Sequence, residues 1–115
     1  MKENIIKTKS YQFSLTVIKL YKHMVEEKRE FVISKQVLRS GTSIGANIEV
    51  ATGAQSKKDF IAKLHISLKE AKETHYWLRL IKESEYADAG LINFFIADCE
   101  ELIIILVSIL KTAKI

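Results

Sequence analysis

Three histidines, one cysteine and a handful of paired carboxylates are the residues of this chain equipped for acid–base, nucleophilic or metal chemistry. Their spacing favours none of these. His23, His65 and His75 form no HxxxH pair, the spacing that puts two imidazoles on one helix face for zinc. Nor does an ExxH pair of the di-iron bundle type occur. Glu70 with Glu73, and Glu100 with Glu101, therefore read as solvated or salt-bridged carboxylates. Cys99 falls inside an apolar run with no basic neighbour, as a small buried thiol does, and a nucleophilic role is not expected. Ser40, Thr42 and Ser43 lie on a helical segment, not on a strained strand-to-helix elbow. Gly41 and Gly45 frame a GxxxG spacing that lacks the GK[ST] ending of a phosphate loop. No enzyme, metal site or cofactor is expected.

The chemistry left is electrostatic. Lysine and arginine number 18 against 14 acidic residues, a formal net charge of +4. That balance permits nucleic acid or another anionic surface as a partner but does not demand one. Whether the cations act together depends on the elements that carry them.

Proline is absent from all 115 residues. Since proline costs about 3 kcal/mol inside a helix, a chain without it can run long ones. Hydrophobic residues at 48% and charged residues at 28% are globular proportions. A first helix is read from Asn4 to Arg29, with Phe13, Val17, Leu20 and Met24 at alternating steps of four and three. Ile18, Tyr21 and Val25 widen its stripe, and the charged cluster Glu26 to Glu30 marks the turn. A second helix starts at Ser34 as N-cap and turns Val37, Gly41, Ile44, Ile48 and Ala51 inward. Glycine inside a helix costs roughly 1 kcal/mol against alanine, so close approach of a neighbour is expected at Gly41 and Gly45. Ser56 and Asp59 have capping-box spacing and open a third helix that reaches Ser84, with Phe60, Leu64, Ala71, Leu78 and Ile81 inside. After a turn at Glu85 to Ala87, a fourth helix runs from Asp88, with Ile92, Ile96, Cys99, Ile103, Leu106 and Leu110 as its stripe. No repeat or linker divides residues 1–115. Long helices with short turns predict one all-α domain, an antiparallel up-down-up-down four-helix bundle.

The third and fourth helices carry more apolar residues than one stripe needs. Ile66, Tyr76, Trp77, Phe94 and Ile104 lie off the inner lines and are expected at an interface between copies of the chain. Met1 to Ser10 lacks the apolar core and cleavage site of a signal peptide, and the greasiest run, Leu102 to Leu110, is too short to span a bilayer. With a lone cysteine that cannot pair within the chain, a cytoplasmic protein away from membranes is expected.

Two polar sets remain. Arg39, Ser43 and Asn47 fall at i, i+4 and i+8, one helix face that Ser67 and Glu70 could meet. Such a set reads better as a hydrogen-bonded network fixing helix register than as a ligand site. The up-down topology also gathers Lys2, Lys7, Lys9, Lys57, Lys58, Lys63, Lys111 and Lys114 at one end, against only Glu3 and Asp59. The opposite end is nearly balanced, and the waist, with Glu49, Glu70, Glu73, Asp98, Glu100 and Glu101, is net acidic. Lysines at the starts of helices one and three oppose the helix dipole, so stability alone would not place them there.

The blocks Leu38 to Ile48 (LRSGTSIGANI), Gln55 to Ile61 (QSKKDFI) and Ser67 to Leu78 (SLKEAKETHYWL) resemble the four-helix-bundle proteins encoded in intervening sequences of bacterial large-subunit ribosomal RNA genes. The resemblance covers nearly the whole chain. It departs where many relatives carry an acidic residue and then a glycine, here Val50 and Ala51, with Glu49 one place earlier. The same superfamily includes accessory proteins of diversity-generating retroelements, pentameric barrels that bind a reverse transcriptase and nucleic acid. What the resemblance implies is a homopentamer of four-helix bundles. Together with the basic end, it implies a non-enzymatic, nucleic-acid-associated oligomer, RNA being the first candidate. The alternative is a protein-only scaffold whose partner is another protein, such as a reverse transcriptase.

Overall fold

Four α-helices account for the chain in a computed structural model that describes residues 2–113: α1 Lys2–Glu26, α2 Ile33–Thr52, α3 Lys57–Glu83 and α4 Ala89–Thr112. Each helix packs on its neighbours in sequence and α1 closes the square against α4, with no close backbone approach across either diagonal among the described residues. The result is the expected up-down bundle, 45 × 20 × 19 Å. Val17, Met24, Ile44, Ile48, Leu64, Leu78, Ile81, Ile92, Leu102 and Leu106 form the body of a single buried cluster.

The expected close approach occurs between α1 and α2. A Cβ on Gly41 would stand 3.0 Å from the methyl groups of Val17, and one on Gly45 would stand 3.2 Å from the backbone oxygen of Ser10. The glycines thus let two backbones meet, and the buried contact so gained offsets their helix penalty.

Three local expectations are corrected. First, α1 ends at Glu26 rather than Arg29. Arg29 adopts φ 56°, and the N–H of Glu30 bonds the Met24 carbonyl at 3.0 Å, closing the helix in a left-handed turn. Second, Ser34 is not the N-cap of α2, which begins at Ile33 after Val32, a residue with no capping side chain. The cap comes from Glu30, whose carboxylate accepts the N–H groups of Val32, Ile33 and Ser34 at 3.1, 2.9 and 2.7 Å. Third, the stripe of α4 is rotated. Ile92, Cys99 and Leu106 are buried as expected, but their companions are Leu102 and Ile109, while Ile96, Ile103 and Leu110 are only half-buried. Phe60 on α3 is likewise half-buried. At the start of α3, Ser56 accepts the N–H of Asp59 at 3.0 Å. The Asp59 carboxylate turns instead toward Lys63, at 3.9 Å. Asp88 caps α4 by accepting the N–H of Leu91 at 3.1 Å.

Candidate functional site

The start of α1, the α2–α3 turn and the end of α4 do share one end of the bundle, where Glu3, Ala51, Ser56, Lys57, Phe60 and Ala113 line one depression. Of the eight lysines assigned to this end, Lys114 lies outside the described residues. Three others face carboxylates: Lys7 meets Glu49 at 3.8 Å, Lys9 meets Glu101 at 3.3 Å, and Lys63 meets Asp59 at 3.9 Å. Two of those carboxylates belong to the waist, so α1 draws part of the basic charge up the side of the bundle. Lys2 donates to the Ser108 hydroxyl at 2.5 Å. Lys57, Lys58 and Lys111 are exposed and make no ion pair among the described residues. The exposed pairs are worth at most about 1 kcal/mol each and are screened by salt. A phosphate could replace Glu49 or Asp59 at little cost.

The second polar set spans the α2–α3 seam. From a half-exposed position on α2, Arg39 donates to Glu70 Oε2 at 3.0 Å, to Glu73, and through Nε to Gln36 Oε1 at 3.2 Å. Trp77 Nε1 donates to the same Glu73 carboxylate at 3.0 Å, which fixes the indole. Deeper in, the Thr74 hydroxyl lies 2.8 Å from both the Glu70 carbonyl and the Ser40 hydroxyl, and Ser67 donates to the Ile44 carbonyl at 2.9 Å. Ser43 and Asn47 bond each other along α2, with Asn47 Nδ2 3.0 Å from Ser43 Oγ, and do not reach Ser67 or Glu70. The sequence did not assign Glu73, Trp77, Ser40 or Thr74 to this network. One signal for them was available: Ser67, Glu70 and Thr74 fall at i, i+3 and i+7, a polar line on the face that also carries Leu64 and Leu78. Among the described residues no buried side-chain nitrogen or oxygen lacks a partner, so these contacts hold α2 and α3 in register.

The residues expected at an interface differ in exposure. Phe94 and Ile104 are 73% and 69% exposed, and Ile66 and Tyr76 are also exposed, whereas Trp77 packs half-buried against the core. A separate apolar groove of about 370 Å³ runs between α1 and α2, floored by Gly45 and Ala46 and walled by Tyr11, Leu15 and Ile18.

The groups with nucleophilic or acid–base capacity are held elsewhere. Cys99 is buried and donates to the Ala71 carbonyl at 3.2 Å. Burial, with smaller contributions from the charges of Glu100 and Asp98, pushes its thiol up to about 12, so it stays protonated and inert. His75 lies between Arg79, whose Nε donates to Nδ1 at 3.1 Å, and Glu100, whose carboxylate is 2.9 Å from Nε2. Among the described residues no helix is long and apolar enough to cross a membrane, and no three His, Cys, Asp or Glu side chains converge as metal ligands do.

Residues 2–108 match the family model described as 23S rRNA-intervening sequence protein. The fold is similar to the 1.70 Å crystal structure of a protein of unknown function from the S23 ribosomal protein family of Bacteroides thetaiotaomicron VPI-5482. The two are 52% identical, with a TM-score of 0.95 over 97% of this chain and 100% of that one. No curated protein matches the chain significantly.

Proposed function

The chain belongs to the 23S rRNA-intervening sequence protein family, and we propose that it is a non-enzymatic, self-associating protein that binds nucleic acid, RNA first, through backbone electrostatics. One observation carries this reading. Helix ends that are far apart in sequence bring Lys2, Lys57, Lys58 and Lys111 to one end of the bundle, with no carboxylate claiming any of them among the described residues. Lysines at the starts of α1 and α3 work against the helix dipole, a placement that an approaching polyanion rewards. Phe94 and Ile104 on α4 are the surfaces through which copies would meet, and a cyclic assembly would set several basic ends side by side on one rim.

Binding of single- and double-stranded RNA and DNA, followed against salt, tests the reading. Affinity should fall steeply with salt, because each neutralised phosphate releases counterions. Replacing Lys57 and Lys58 by glutamate should weaken binding and flatten the slope while helicity is retained. A parent protein that binds none of these at low salt overturns the reading. The apolar groove over Gly45 and Ala46 would then favour the second one, a scaffold for a partner protein.

A further inference from the structure

Of the carboxylates that make the waist net acidic, all but Glu100 are turned to seams away from the outer side of α3. Glu49 faces Lys7, Glu101 faces Lys9, Glu70 and Glu73 hold Arg39, and Glu100 holds His75. What remains on the outward side of α3 is a single line at steps of four and three: Lys58, Ala62, His65, Lys69, Lys72, Tyr76 and Arg79. Every one of these residues is exposed, and none is acidic. Lys58, Lys69, Lys72 and Arg79 make no ion pair among the described residues. The line runs for about 32 Å at 1.5 Å per residue, and Lys69 and Lys72 stand about 4.5 Å apart along it. Near its far end the Arg79 guanidinium sits 5.8 Å from the centre of the Tyr76 ring. Beside it lies a groove bounded by Lys72, His75, Arg79, Glu100, Ile103 and Ile104.

We propose that this face of α3 is a track for a single-stranded nucleic acid, whose phosphates follow Lys58, Lys69, Lys72 and Arg79 while a base stacks on Tyr76. The proposal rests on the nucleic-acid reading above and moves its centre from the end of the bundle to its side, with Lys58 common to both. A cationic line bearing an aromatic ring and an arginine is the combination that holds unpaired strands, because phosphates take the charge and every base offers a face to stack. A duplex keeps its bases paired and could use the cations alone.

The test is fluorescence anisotropy of the full chain with a labelled oligouridine RNA and with a hairpin duplex of matched length, over a salt series. Four phosphate contacts give a slope of log affinity against log salt of about −3 for a single strand. Lys69→Gln with Lys72→Gln should cut that slope by about 1.4. Tyr76→Ala should weaken single-strand binding by about tenfold, and Tyr76→Phe should retain it. All these positions are exposed, and circular dichroism checks that the helices persist. If the parent binds RNA but the double lysine variant keeps its affinity and slope, α3 is not the track, while the nucleic-acid reading stands. If Tyr76→Ala is neutral and the hairpin binds as tightly as the single strand, the single-strand assignment falls. A parent that binds neither RNA at low salt overturns this proposal and the reading beneath it together.

Discussion

Glu30 and Ser34 bond each other twice across the start of α2. The Glu30 carboxylate accepts the Ser34 N–H at 2.7 Å, and the Ser34 hydroxyl donates to the Glu30 carbonyl at 2.8 Å. A residue placed in the turn by its charge thus serves as the cap, and the serine suited to that role is drawn inside the helix.

Removing this cap should be felt in stability and in its pH dependence. Burial raises the Glu30 carboxyl, but donation by the N–H groups of Ile33, Ser34 and Val32 outweighs it and holds the group below its ordinary value of 4.5. The unfolded chain therefore binds the proton more readily. The stabilisation is full above 4.5 and is lost as pH falls through the lowered folded value. Glu30→Ala should cost about 1–2 kcal/mol near neutral pH. Urea titrations at stepped pH should show the difference from the parent shrinking on the acid side.

The two glycines of α2 should respond differently to alanine. At Gly45 the new methyl meets the Ser10 backbone, which cannot swing aside, so destabilisation of about 1–3 kcal/mol is expected. At Gly41 the obstacle is the side chain of Val17. Combining Gly41→Ala with Val17→Ala should cost less than the two changes summed, since one methyl fills part of the space the other vacates. Chemical denaturation of the three variants reads this coupling directly.

On α4, Leu106→Ala should cost about 2–5 kcal/mol, and Ile104→Ala, two residues earlier on the exposed side, should lie within about 0.5 kcal/mol of the parent. Similar losses at both positions would show that the exposed face of α4 is covered in solution.

Glu85 holds φ 63° at the α3–α4 turn, a left-handed conformation costly for any residue with a Cβ. Its side chain is exposed. Glu85→Gly should raise stability by about 0.5–1 kcal/mol, visible as a higher melting temperature.

The helices, their order and both glycine contacts were legible because periodicity and glycine cost are local properties. The stripe of α4 was not. That helix is apolar on most sides, so steps of four-three through Ile96 and Ile103 and of three-four through Leu102 and Ile109 fit equally well, and only the positions of α1 and α3 choose between them. At the α2–α3 seam, Arg39 and Glu70 could be paired from their spacing. Glu73 and Trp77 could not, since their meeting depends on how α2 lies across α3. The line on α3 was hidden for a related reason. A waist counted as net acidic takes in Glu49 and Glu101, which belong to sides of the bundle other than the one that carries Lys69 and Lys72.

The seam between α1 and α4 is the most sparsely packed of the four. Polar contacts such as Lys9 with Glu101 cross it, and a cavity of about 330 Å³ opens between Thr8, Gln12, Asp98 and Leu102. It is also the seam that joins the first helix to the last. Three of the seams can zip up from short turns, each paying little loop entropy, whereas this one must wait for the chain to come full circle. The late-forming contact is thus also the least dense, so folding gains speed from its three local hairpin steps and commits little of its stability to the slow closure.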